Sequence, residues 1–126
     1  MGNDFRRDHS FRVPRPDQSV VYKTPNACTG CHKDKTDQWA ADYVVKWYGS
    51  RRKDHFSDLL LLSTQENLND ADRKKIEAFI TDLNYPAIAR ATAIDNLNYD
   101  HAEQLGALLP ALNDASPLVR YSALME

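Results

Sequence analysis

The two cysteines of this 126-residue chain, Cys28 and Cys31, lie three apart within the stretch PNACTGCHKD (25–34), and His32 follows directly. Two thiols one helical turn apart can add to the two vinyl groups of a haem and hold it by thioethers, and the adjoining imidazole is then presented to the iron. The intervening Thr29 and Gly30 are small, so a flat macrocycle meets no bulky obstacle at the backbone. Other chemistries use part of the same set. A zinc site needs four ligands, and Cys28 with Cys31 supplies two, leaving His32, His9, His55 or His101 to complete it; Cys31 and His32, being adjacent, are cramped as ligands of one ion. A redox dithiol of the thioredoxin type belongs to a strand–helix–strand context. A plain disulfide would use both thiols and leave the histidine incidental. A haem employs all three residues.

An iron held by His32 has a second axial position, and its occupant separates electron transfer from small-molecule binding. His9 and His55 stand at the same sequence distance from His32, so chain reach does not choose between them. His55 opens a helical pattern with Leu59 and Leu62 on one side, a face that suits a haem edge or ordinary packing equally. His101 falls in the first turn of its helix, at the surface, and Met1 and Met125 lie at the termini. An open or externally supplied position is the remaining alternative. Trp39, Tyr43 and Trp47 recur at i, i+4 and i+8 just after the motif and could pack along a porphyrin or form ordinary core. Arg6, Arg7, Arg12, Arg15 and Lys23 could neutralise propionates.

These residues must be positioned by helices. Residues 1–27 show neither a helical nor an alternating period and contain Pro14, Pro16 and Pro25, which reads as an irregular N-terminal arm. From Thr36, a natural N-cap, the spacing predicts a helix that Gly49 closes. Further helices are predicted near 54–63, from an Asn69 cap through Ile76, Phe79, Ile80 and Leu83, and from Pro86 through Ile88, Ala91 and Ile94. Asp100 with Glu103 makes a capping-box-like start for a fifth, and Ser116–Pro117 opens a sixth that reaches Leu124. Nothing reads as a strand, so the fold class is all-α, with a segment 1–50 around the cysteines and a helical segment 51–126 packed with it. The charge is uneven: residues 1–55 carry 11 Lys or Arg against 7 Asp or Glu, and residues 56–126 carry 5 against 11. With a net charge of −2 and no long apolar run, neither nucleic acid nor direct membrane insertion is indicated.

IARATAI (88–94) aligns with LVRYSAL (118–124), so that Arg90 matches Arg120 at an offset of 30, each after a proline-started helix. Such a period suggests stacked helical hairpins. The stretch LLPALNDASPLVRYSAL resembles the HEAT repeat family, with PAIARATAIDNL as a weaker preceding unit. Because Leu118 and Leu124 lack a polar cap, a piece of a longer protein is expected. Residues 6–40, through DHSF, PRPD, TPNAC and the cysteine motif, resemble the multihaem c-type cytochromes that carry HEAT or tetratricopeptide repeats after their haem region. This chain has one Cys-x-x-Cys-His where such proteins usually have several, which again points to a fragment. The resemblance implies haem c, covalent through Cys28 and Cys31, with His32 as proximal ligand and His9, in DHSF, as a distal ligand. It also implies electron transfer rather than enzyme catalysis, redox partner proteins or neighbouring haem domains, and a periplasmic or cell-surface location. MGNDFRRDHS is not a secretory signal, so export implies one that has been removed. The competing expectation is a helical-repeat interaction module in which the cysteines are only a structural clip.

Overall fold

In a computed structural model the chain is described over residues 14–50, 55–97 and 105–126, with backbone alone for 105–107. All regular structure among the described residues is helical, as the all-α expectation requires. The helices are α1 (Pro16–Tyr22), α2 (Ala27–Cys31), α3 (Asp37–Tyr48), α4 (Ser57–Ser63), α5 (Asp70–Thr81), α6 (Ala87–Asn96), α7 (Leu105–Ala111) and α8 (Pro117–Met125). They fall into two compact units, Met1–Arg52 and Lys53–Glu126.

In the first unit α1 packs on α3. The residues they bury are small: Pro16 and Ser19 on α1, and Ala40, Ala41 and Val44 on α3. The expected irregular arm is corrected over 16–22. Pro16, read as a breaker, occupies the first turn of a helix, where its missing N–H would have had no partner and its fixed φ is already helical. Lys23 ends α1 in the left-handed conformation, φ 59°, and its N–H reaches the Ser19 carbonyl at 3.0 Å. The α3 signals are observed as read. Thr36 Oγ1 accepts the Trp39 N–H at 3.1 Å, and Gly49, at φ 81°, donates to the Val45 carbonyl at 2.8 Å.

The second unit has its own core, built from Ile76, Phe79 and Ile80 on α5, Ala89, Ala91, Ala93 and Ile94 on α6, and Leu108, Ala111, Val119 and Ala123 on α7 and α8. α5 packs on α6, α7 on α8, α6 on α8, and α4 lies on α5 and α6. Asn69 caps α5 by accepting the Asp72 N–H at 2.9 Å. Three boundaries differ from expectation. Pro86 is the N-cap of α6, with ψ 136°, rather than its first residue. Leu83 lies beyond α5 and is exposed, because Asp82 turns extended and its carboxylate takes the Asn84 N–H at 2.9 Å. The second predicted helix begins only at Ser57. The Asp100–Glu103 capping box lies outside the described residues.

The aligned arginines have different partners. Arg90 is buried, with Nη1 donating to the Ile80 carbonyl at 3.0 Å and its guanidinium gripping Asp114 through both Nη1 and Nη2. Arg120 is exposed and donates Nη1 to the Asp114 and Ala115 carbonyls at 2.7 and 3.0 Å. Both therefore secure the loop that opens α8, Arg90 from α6 and Arg120 from within α8 itself. Asp114 Oδ1 also accepts the Ser116 N–H at 2.8 Å. The Arg90 side chain, above all, holds the Asp114 carboxyl below its ordinary value, against the opposing effect of burial and with help from the Ser116 N–H.

Candidate haem-attachment site

α2 is one short helix built on the cysteine motif. Asn26 is its N-cap: Oδ1 accepts the Thr29 N–H at 3.0 Å, and the Asn26 carbonyl accepts the Gly30 N–H at 3.1 Å. Cys28 and Cys31 are both free thiols, the first partly exposed and the second exposed, one turn apart on this helix. Helix geometry places residues three apart on the same side, so both sulfurs are available to one ligand. His32 is the C-cap; its N–H donates to the Cys28 carbonyl at 2.8 Å and its carbonyl accepts the Lys35 N–H at 3.1 Å. The backbone on either side of the imidazole is thereby fixed.

The ring of His32 lies on Trp39, centroids 5.2 Å apart and planes at 55°. Trp39 in turn meets Tyr43 at 4.9 Å, and Tyr43 meets Trp47 at 5.4 Å. The i, i+4, i+8 spacing thus becomes one continuous row of rings along α3, beginning at the histidine. Trp39 is partly buried, while Tyr43, Trp47 and Tyr48 are exposed. The described part of this unit inverts the usual distribution, with alanine, valine, serine and proline inside and Tyr43, Trp47 and Tyr48 outside. Lys46 Nζ stands 5.5 Å from the Tyr43 ring centroid.

Thr29 and Gly30 differ in a way the sequence did not reveal. Thr29 Oγ1 donates to Asp37 Oδ1 at 3.2 Å, which turns this side chain toward α3, whereas a Cβ built on Gly30 meets nothing within 4 Å. Of these two residues, Gly30 is the one that faces open space. The same Asp37 oxygen accepts Asn26 Nδ2 at 2.7 Å. Asn26 and Asp37 were missed as site residues, although an asparagine just before a short helix, with threonine three residues on, is a readable N-cap signal. Nearby, Lys35 pairs with Asp34 at 2.8 Å and, with His32 contributing less, holds the Asp34 carboxyl below its ordinary value.

His9, His101, Arg6, Arg7 and Arg12 lie outside the described residues. His55 belongs to the second unit; its Nδ1 accepts the Ser57 N–H at 3.1 Å at the start of α4 and its ring packs on Phe56 at 4.2 Å, leaving Nε2 as its remaining ligand atom. Arg15 is bound to Asp17 at 2.8 Å, and Lys23 Nζ donates to the Val20 carbonyl at 3.0 Å. Met125 is exposed at the end of α8. Among the described residues no group of three or more His, Cys, Asp or Glu side chains converges as a metal-ion cage.

The donor set fits haem c: two free thiols on one turn, an adjoining exposed imidazole, an open surface at Gly30 and an aromatic row beside the imidazole. It does not fit a four-ligand zinc clip from the residues described. The chain matches no protein-family model, no curated protein and no solved structure.

Proposed function

We propose that the first unit is a c-type cytochrome segment that transfers electrons through one covalently attached haem. The observation that carries this is the seating of His32 on Trp39 directly beside the two thiols of α2. Each cysteine S–H adds across a vinyl C=C, sulfur to one carbon and hydrogen to the other, which leaves two thioethers and no by-product. When bound, the haem supplies one-electron exchange at its iron. His32 would present its imidazole to that iron, with its ring resting on Trp39 and its backbone held by its bonds to Cys28 and Lys35. Trp39 and Tyr43 would give a bound macrocycle an apolar flank beside His32. His9 is the proposed distal ligand and His55 the alternative. Two histidine ligands would favour outer-sphere electron exchange, with redox proteins or neighbouring haems as partners. Such a protein works in the periplasm or at the cell surface, where haem c is attached.

The test is a reduced absorption spectrum of protein exported by a host with haem c maturation. Sharp low-spin bands, lost in His32→Ala and retained with a single thioether in Cys28→Ala, support the assignment. A colourless chain with its helices intact contradicts it.

That last outcome would favour a second reading, an interaction module built on the hairpins. The observation behind it is that Tyr121 and Leu124 of α8 are 62% and 74% exposed, while Ala91 and Ile94, their counterparts on α6, are 2% and 0% exposed.

A further inference from the structure

We propose that Asp37 is the positioning residue of the attachment turn, holding Cys28, Cys31 and His32 in one geometry before haem arrives; this rests on the haem reading above. A five-residue helix is too short to sustain itself, because one turn fixes several dihedrals for a single hydrogen bond. α2 therefore depends on what holds its ends. At its start, Asp37 Oδ1 receives both Asn26 Nδ2 at 2.7 Å and Thr29 Oγ1 at 3.2 Å, so the N-cap residue and the first turn are tied to one oxygen. At its end, the His32 ring rests on Trp39. Asp37 and Trp39 share the first turn of α3, which Thr36 caps, so a single rigid turn grips both ends of the motif. The α3 N-terminus also favours a carboxylate at this position.

The consequence is a preorganised site. With Asp37 in place, the two thiols and the imidazole need little further ordering when the macrocycle is attached. Without it, Asn26 and Thr29 lose their common acceptor and the turn samples other conformations. Because both bonds go to one oxygen, asparagine can replace aspartate as acceptor. Alanine cannot.

The experiment compares Asp37→Ala, Asp37→Asn and Gln38→Ala with the parent chain, each exported with and without haem c maturation. On the haem-free chains, amide hydrogen exchange is read from Thr29 to His32. On the matured chains, haem per polypeptide is read by intact mass and the orientation of the axial imidazole by electron paramagnetic resonance. Asp37→Ala is expected to lose roughly tenfold in protection at Thr29 and Gly30, the scale of one net hydrogen bond. It is also expected to lower haem loading and broaden the low-spin signal, with Asp37→Asn restoring both. Gln38→Ala, which removes the exposed Gln38–Asp42 bond of α3 and leaves the Asp37 contacts, is expected to keep the parent signal. Parent-like exchange and resonance in Asp37→Ala overturn the proposal, as does a Gln38→Ala variant that reproduces the full Asp37→Ala effect. If the parent chain takes up no haem, the cytochrome reading fails, while the exchange data still decide whether Asp37 orders the turn.

Discussion

His32 and Asp114 show how much a single side chain's surroundings decide. His32 was legible as a candidate ligand because it directly follows Cys31, but its contact with Trp39 arises from a turn at 32–36 that no spacing rule specifies. Trp39→Ala removes that ring contact and leaves the thiols untouched. The expected outcome is normal covalent loading with a displaced low-spin resonance, measured by electron paramagnetic resonance. The Arg90–Asp114 pair was legible only in part: the sequence alignment found two equivalent arginines, but the carboxylate that one of them grips lies 24 residues away along the chain. Both side chains are buried, so removing one partner strands the other charge. Asp114→Ala is expected to cost about 3–5 kcal/mol in denaturant unfolding of the second unit. The pair also sets a pH dependence. The folded carboxyl titrates below its unfolded value of 3.8, so its contribution is complete above that value and is lost as pH falls through the lower, folded value. Asp114→Asn is expected to flatten the acid limb of the unfolding curve.

Among the elements, those with chemical punctuation were legible and those without it were not. Thr36, Gly49, Asn69 and Pro117 mark helix ends that the structure reproduces, because each satisfies a backbone group or supplies a φ that the chain needs there. α1 was missed because Pro16 reads as a breaker unless it is recognised as an N-terminal residue, and α2 because five residues hold too few positions for a period to show. Gly49 offers the sharpest test of an element boundary. Its φ of 81° with ψ of 169° is a conformation that essentially only glycine adopts, although a Cβ there would touch nothing. Gly49→Ala is expected to destabilise the first unit by about 1–3 kcal/mol through backbone strain alone, read as a lowered thermal midpoint with unchanged helicity below it. The two aligned helices of the second unit differ in what covers them. Ala91 and Ile94 of α6 are covered, and the same register positions of α8, Tyr121 and Leu124, are exposed.

At the scale of the whole molecule, the chain joins two units with different distributions of apolar side chains. The second buries Ile76, Phe79, Ile80 and Ile94 in a core of ordinary composition, so its fold does not call for a cofactor. Cys28→Ala with Cys31→Ala is accordingly expected to leave its unfolding transition unchanged. The first unit buries only small residues among those described and displays its rings along α3, beside the two thiols. On the proposed reading, a covalently held aromatic plate would cover rings that the described residues leave exposed. The uneven charge was legible from composition alone, whereas that inversion of small and large side chains needed the packing of α1 on α3 to become visible. The measurement that bears most directly on the account is the intact mass, under denaturing conditions, of the chain exported by a host that matures haem c. The account predicts the polypeptide plus one haem, surviving unfolding and abolished when Cys28 and Cys31 are both replaced. A bare polypeptide mass from that host would contradict it.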